Sequence, residues 1–250
     1  VAGKCHTKFI DETPELFEFT ESRDRATRVL KYIANIQVNN PDAERHQYDT
    51  PRFPKAQREV TKQDGLKLLL DTDGPEAVKE WVLGQKKLLI TDTTMRDAHQ
   101  SLLSTRLRTR DMVKGADGTA DILADCFSLE MWGGATFDTA YRFLHESPWE
   151  RLEMLREKIP NIPFQMLLRG SNLVGYASYP DNLVRAFIAE SAREGIDVFR
   201  VFDSLNWLPN METAMDEVLR QGKFLEGTVC YTGDILDPTR DRYTLKYYVD

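Results

Sequence analysis

The stretch PFQMLLRGSNLVGYASYPDNLVRAFIAESAREGIDVFRVFDS, residues 163–204, decides the fold. Phe164–Arg169 and Val198–Asp203 are short apolar runs of strand length, and the segment between them reads as a helix. Asp181 offers a cap, and Leu183, Val184, Phe187, Ile188 and Ala192 fall on one stripe at helical spacing. Gly195 closes the helix. A strand, a helix and a strand in that order form a parallel pair with a right-handed crossover.

The same unit extends in both directions. Further β-rich runs lie at Leu88–Thr91, Phe127–Trp132 and Thr228–Tyr231. The five runs start at 88, 127, 164, 198 and 228, in steps of 39, 37, 34 and 30 residues, each long enough for one βα unit. This is an α/β chain with a parallel sheet, either doubly wound or closed into a barrel. No Gly-rich phosphate fingerprint follows the first run, which removes the main support for a dinucleotide fold. Polar residues gather instead at the carboxyl ends of successive strands: Asp92, Arg96 and Asp97, then Glu130, Arg169, Asp203, and Tyr231 with Asp234. Barrel active sites sit at that end. The reading is an incomplete TIM-like (β/α) barrel over residues 86–250, with five of eight strands legible.

Upstream the pattern changes. Thr13-Pro14-Glu15 marks the start of a short helix in residues 1–20. Residues 21–85 read as a mainly helical linker. Ala26, Val29, Leu30, Ile33 and Ala34 form an apolar stripe opposite Arg23, Arg25, Arg28 and Lys31, and Asn39-Asn40-Pro41 ends that helix. Pro51 and Pro54 stiffen a polar stretch, and two short helices are expected at Gln63–Leu70 and Pro75–Leu83.

Composition narrows the function classes. The 250 residues carry a net charge of −7, which argues against nucleic acid or an anionic membrane as partner. No apolar run approaches the ~18 residues of a membrane span. Three scattered cysteines, Cys5, Cys126 and Cys230, fit a reducing, intracellular compartment, expected to be the cytoplasm. The start at Val1 and the end inside an apolar-periodic stretch read as a piece of a longer chain.

The chemistry-bearing residues crowd TDTTMRDAHQ, residues 91–100. Asp97 and His99 are metal-ligand types, and Arg96 and Gln100 suit an acidic, oxygen-rich substrate. The structural alternative is that Asp92 or Thr93 caps the next helix with Arg96 as its ion-pair partner. Arg169 follows a buried strand, where a charge is costly without a carboxylate from the protein or a ligand. Gly133-Gly134 reads as a turn, Asp138 as helix surface, and Arg200 with Asp203 as an internal pair. Tyr141, Phe143 and Trp149 read as core packing, and Gly115 and Gly118 bring the regularity of the helix they occupy into question.

Together, LLITDTTMRDAHQSLL, SLEMWGGATFD, QMLLRG, GYASYPDN and DVFRVFDSLN resemble, in order, the carboxyltransferase domain of the pyruvate carboxylase family. VAGKCHTKFIDETPELF resembles the end of its biotin carboxylase domain, and residues 21–85 its allosteric linker. The resemblance implies a TIM-like barrel that moves a carboxyl group from carboxybiotin to pyruvate. It implies a divalent metal, zinc or manganese, with Asp97 as one ligand. Pyruvate would be held by Arg96, Asp97, Ala98, His99, Gln100 and Arg169, with Arg169, Gln100 and Asp138 catalytic. Asp138 and Tyr176 would line the biotin pocket. Arg23 and Arg25 would lie near an acetyl-CoA activator site. The whole enzyme of the family uses ATP with Mg, carries biotin on another domain and forms homo-tetramers; this segment alone is expected to be inactive. Two rivals stand beside it: the α subunit of a biotin-dependent oxaloacetate decarboxylase or transcarboxylase, which should lack residues 1–85, and a non-catalytic scaffold module.

Overall fold

The computed structural model describes residues 28–39, 64–102, 106–239 and 241–249. The chain divides into two compact units, Val1–Lys55 and Ala56–Asp250. In the first, α1 spans Arg28–Asn39 and ends at the Asn39-Asn40-Pro41 signal. Its Val29, Leu30 and Ile33 are exposed. The helix expected from Pro14, the polar stretch with Pro51 and Pro54, and the residues Arg23 and Arg25 lie outside the described residues.

The second unit begins with α2, Leu66–Gly84. The two short helices expected here are both present within this span: the helical backbone breaks at Gly74, whose φ of +82° only glycine adopts without strain, and resumes at Pro75. There follow β1 (Thr91–Asp92), a wide-turned π-helical segment (Thr94–Leu102), α3 (Thr109–Ile122), β2 (Ser128–Trp132) and the short α4 (Gly134–Asp138). Then come α5 (Pro148–Lys158), β3 (Phe164–Leu168), α6 (Asp181–Glu194), β4 (Val198–Phe202), α7 (Pro209–Arg220), β5 (Phe224–Thr228) and α8 (Leu245–Val249). The five strands are all parallel and lie in sequence order, β1-β2-β3-β4-β5, as consecutive βα units of a barrel wall require.

Two strands sit elsewhere than the sequence predicts. β1 pairs only at Thr91 and Asp92, and Leu88 and Ile90 of the expected run are exposed. β5 begins four residues early, at Phe224 rather than Thr228. Polar pairs set that register: Lys223 meets Asp197 at 3.3 Å, and Glu226 meets Arg200 of β4 at 2.6 Å. Tyr231 and Asp234 therefore lie in the loop beyond β5, not at its end. Arg200 and Asp203 do not pair with each other either, because Arg200 is engaged by Glu226 and Asp203 by the turn that follows it.

The outward faces of the strands carry the core. Leu129, Met166, Leu168, Phe199 and Val201 pack under α3, α5, α6 and α7 through Ala116, Leu152, Ile188 and Val218. On α6 the buried stripe is Val184, Ile188, Ser191 and Ala192; Leu183 is half-exposed. Pro180 caps that helix, and Asp181 is its first residue, where a carboxylate suits the helix dipole. Gly115 and Gly118 leave α3 unbroken and face open space. Of the expected aromatic stripe only Trp149 joins the core, ring to ring with Trp132 at 4.8 Å and Phe187 at 5.7 Å; Tyr141 and Phe143 are half-exposed.

At the amino-terminal end of the strands, α2 lies across the sheet. Leu70 and Val78 form a small cluster with Phe127, joined by Trp81, Leu89 and Phe224. Lys67 reaches Asp197 at 3.2 Å, and Arg156 clamps the same carboxylate from α5. Burial alone would raise the Asp197 carboxyl, but the charges of Arg156, Lys67 and Lys223 hold it below the usual carboxylate range. These contacts brace the amino-terminal end of the strands.

Candidate active site

The site is assembled at the carboxyl ends of β1 to β4. After β1, the Asp92 carboxylate accepts from the backbone N–H of Thr94 at 3.0 Å and from its hydroxyl at 2.9 Å, capping the π-helical segment. That segment carries Arg96, Asp97, Ala98, His99 and Gln100. Arg96 donates to Asp97 at 2.9 Å and meets Glu130 of β2 at 2.7 Å. Glu130 is buried, so the pair is a desolvated one at the foot of the site. Asp97 also accepts from Ser101 at 2.9 Å. The Gln100 carbonyl oxygen and the Arg96 Nε are buried with no partner among the described residues, a state buried polar atoms rarely hold.

His99 is turned away from this group. It is buried; its Nε2 lies 3.1 Å from the Met95 carbonyl and its Nδ1 accepts from the Leu107 N–H at 3.1 Å. Its ring thus ties the segment to the chain before α3. Ala98 contributes a backbone bond, its N–H donating to Thr93.

β2 changes register with β3 between Glu130 and Trp132, a bulge that re-aims the chain into Gly133-Gly134. A Cβ on Gly133 would lie 3.1 Å from the Arg96 guanidinium carbon, and one on Gly134 would lie 2.5 Å from that of Arg169. The two guanidinium groups are therefore seated on consecutive glycines, which are more than a turn.

Arg169 follows β3 directly. It donates to the Gly175 carbonyl at 2.9 Å, and its guanidinium carbon lies 5.4 Å from the Tyr176 ring centre. The Tyr176 hydroxyl donates to Asp138 at 2.7 Å, a bond that raises the Tyr176 pKa. Asp138, Tyr176 and Arg169 thus stand in one chain of contacts. Arg169 and Tyr176 border a cavity of about 290 Å³ lined also by Asn172, Gly175, Phe202, Asp203 and Ser204.

The sequence reading did not see what braces the loop after Arg169. Asp203 accepts from the N–H groups of Trp207 (3.0 Å) and Leu205 (2.8 Å) and from the Asn210 amide (2.9 Å); these bonds, Trp207's foremost, hold its carboxyl below the usual range. Asn210 in turn takes a hydrogen bond from Ser171. Nothing in residue spacing announces a contact between the ends of two different βα units. Glu130 was more legible, as a charge within the buried run SLEMW.

Five parallel strands in sequence order, with polar side chains at their carboxyl ends, are arranged as in the wall of a (β/α) barrel. No protein-family profile matches the chain. Pyruvate carboxylase of Staphylococcus aureus is 56% identical over 99% of the chain, and mitochondrial pyruvate carboxylase of Homo sapiens 47% identical over 100% of it. Along its whole length this chain matches a segment of the pyruvate carboxylases. It spans about a fifth of these relatives, 22% of each. The carboxyl transferase domain of Rhizobium etli pyruvate carboxylase, solved with pyruvate and biocytin, overlays with a TM-score of 0.73 at 53% identity, covering 76% of this chain and 32% of that one. A longer Rhizobium etli pyruvate carboxylase solved with acetyl coenzyme-A covers 96% of this chain and 22% of that one, with a TM-score of 0.75 at 50% identity. Because the matches run through residues 1–85 as well, the decarboxylase and scaffold readings are not favoured.

The family implies biotin and a metal. Among the described residues no group of three or more His, Cys, Asp or Glu is placed to hold a metal ion. Asp97 is committed to Arg96 and Ser101, and both His99 nitrogens face backbone groups. The side chains described here do not amount to a metal site. No helix among the described residues is long and apolar enough to cross a membrane.

Proposed function

We propose that the protein to which this chain belongs carboxylates pyruvate to oxaloacetate, and that residues 86–250 supply the pyruvate-binding face of its carboxyltransferase barrel. One observation carries the reading. Arg169 is partly buried beside the cavity, and among the described residues no carboxylate lies within ion-pair distance of it. Arg96, by contrast, is neutralised twice over, by Glu130 and Asp97. A guanidinium set against a cavity without a counter-charge suits a ligand carboxylate, which it can grip with two parallel bonds.

Each residue has a role in that chemistry. Arg169 holds the pyruvate carboxylate, and its charge favours the enolate formed when the methyl group gives up a proton, which ends on the biotin ureido nitrogen that the carboxyl group leaves. The Gln100 side-chain amide donates through its NH2 to a pyruvate oxygen, since the substrate's oxygens only accept, and Arg96 and the backbone at Ala98 shape the floor. Asp138 and Tyr176 close the side that receives carboxybiotin, whose carboxyl group must travel to the methyl carbon away from water. His99 supports the segment from behind, a positioning role in place of the direct contact that the resemblance implies. Asp97 as a zinc or manganese ligand rests on the resemblance alone, and no step here passes through a metal.

The remaining parts of the reading concern the whole protein. Residues 1–20 form the tail of a biotin carboxylase domain that uses ATP and Mg, 21–85 an allosteric linker with Arg23 and Arg25 near acetyl-CoA, and the assembly is a homo-tetramer. The human relative is named mitochondrial; the matrix is the proposed location in a eukaryote and the cytoplasm in a bacterium.

The test is Arg169→Lys in the full-length enzyme. Lysine keeps the charge and loses the planar fork, so oxaloacetate formation should fall about ten- to a hundredfold, the worth of a charge-assisted pair. ATP-dependent carboxylation of biotin should be unchanged. Wild-type rates in both assays would overturn the assignment.

A further inference from the structure

We infer that Gly134 is a positioning residue for Arg169, a glycine kept bare by the guanidinium above it and not by its own backbone. The inference rests on the oxoacid reading only for its kinetic consequence; its geometry stands apart.

The backbone does not ask for glycine here. Gly134 opens α4 and is absent from the glycines with positive φ, and Gly133 before it has an extended conformation. At a helical position with ordinary dihedrals, alanine is favoured over glycine, which loses more freedom on folding. Gly134 is also buried, so a methyl group would gain by leaving water. The obstacle is one side chain. A Cβ at 134 would stand 2.5 Å from Arg169 Cζ, Nη1 and Nη2 alike, a distance at which something must move.

Arg169 has little room to yield while keeping its place. Its far side is held by the Gly175 carbonyl at 2.9 Å and backed by the Tyr176 ring. Its backbone runs straight into Gly170, where φ is +46° and a Cβ would meet the Asn210 carbonyl oxygen at 2.5 Å. Because the loop is fixed, a methyl group at 134 displaces the guanidinium, the flexible end, and leaves the fold intact. At Gly133 the nearest atom is the Arg96 guanidinium carbon at 3.1 Å, a looser seat, so the same change there costs less. A substitution that should be neutral or favourable for stability is thus excluded by the site alone.

The experiment uses the full-length protein with Gly134→Ala, Gly133→Ala, Arg169→Ala and the double variant Gly134→Ala/Arg169→Ala. Crystal structures report the guanidinium position, calorimetry the affinity for oxamate, and thermal unfolding the stability. The Gly134→Ala guanidinium should leave its seat, oxamate affinity should drop about tenfold or more, and the unfolding midpoint should hold or rise. The KM for pyruvate should rise while ATP-dependent biotin carboxylation stays at the wild-type rate. The double variant should bind oxamate no worse than Arg169→Ala, because both changes act through one group. An Arg169 guanidinium still in its seat in Gly134→Ala, or additive losses in the double variant, would overturn the inference. If wild type itself ignores oxamate, the oxoacid reading falls, and the guanidinium position still decides the role of Gly134. If Gly134→Ala fails to fold, the double variant should fold, since its methyl takes the space the guanidinium left; failure of both would place the clash elsewhere and refute the inference.

Discussion

Arg96 and Arg169 sit on neighbouring glycines, and only Arg96 is neutralised. Arg96 is tied to Glu130 at 2.7 Å and Asp97 at 2.9 Å, so it serves as a fixed part of the floor. Arg169 has a carbonyl and an aromatic ring for company, so its charge is available. Glu130→Gln should therefore destabilise the protein by about 1–3 kcal/mol, the range for leaving a buried charged hydrogen bond badly paired. Denaturant unfolding with an unchanged slope and a lower midpoint is the expected result; an unmoved midpoint would show the pair to be idle. Much of this scale was legible in the sequence. Arg169 beside a buried strand and the crowded TMRDAHQ segment announce themselves, because charge next to apolar runs needs a reason. The direction of His99 was not legible. Whether a ring faces the substrate or the backbone behind it depends on the chain around Leu107, eight residues on.

At the scale of elements, buried polar contacts set what hydrophobic pattern alone leaves open. β3 and β4 were readable to within a residue because apolar runs flank a well-marked helix. β5 was not, because FLEGT holds a charge and a glycine, and Lys223 and Glu226 find their partners in Asp197, just before β4, and Arg200, within it. Asp197 is the centre of that arrangement: fully buried, it joins Lys67 of α2, Arg156 of α5 and Lys223 before β5. Its depressed folded-state pKa means it binds fewer protons when folded than when unfolded. The stability it supplies is complete above the unfolded value, about 3.9, and is lost as pH falls through the folded value. Asp197→Asn should thus lower stability at neutral pH by about 3–5 kcal/mol, the cost of leaving buried charges unmatched. The variant should also lose less stability than wild type as acid is added below about pH 4. Parallel acid limbs for the two proteins would show that Asp197 contributes nothing to the pH dependence.

For the whole molecule, the division of labour between the two ends of the sheet explains why function was readable at all. The amino-terminal end is braced by α2 and the Asp197 cluster, and the carboxyl end gathers guanidinium, carboxylate, amide and phenol around a cavity. Parallel strands in sequence order force this, since every βα loop must emerge on the same side. The net charge of −7 does not oppose an acidic substrate here, because the local charge at Arg169 lacks a counter-ion among the described residues. The central claim is that this one guanidinium receives the carboxylate of a 2-oxoacid. Its most direct test is a crystal structure of the full-length protein with oxamate. The account predicts the oxamate carboxylate paired with Arg169 above Gly134, within hydrogen-bonding distance, about 2.7–2.9 Å. Oxamate seated elsewhere, with Arg169 still bound only to the Gly175 carbonyl, would contradict it.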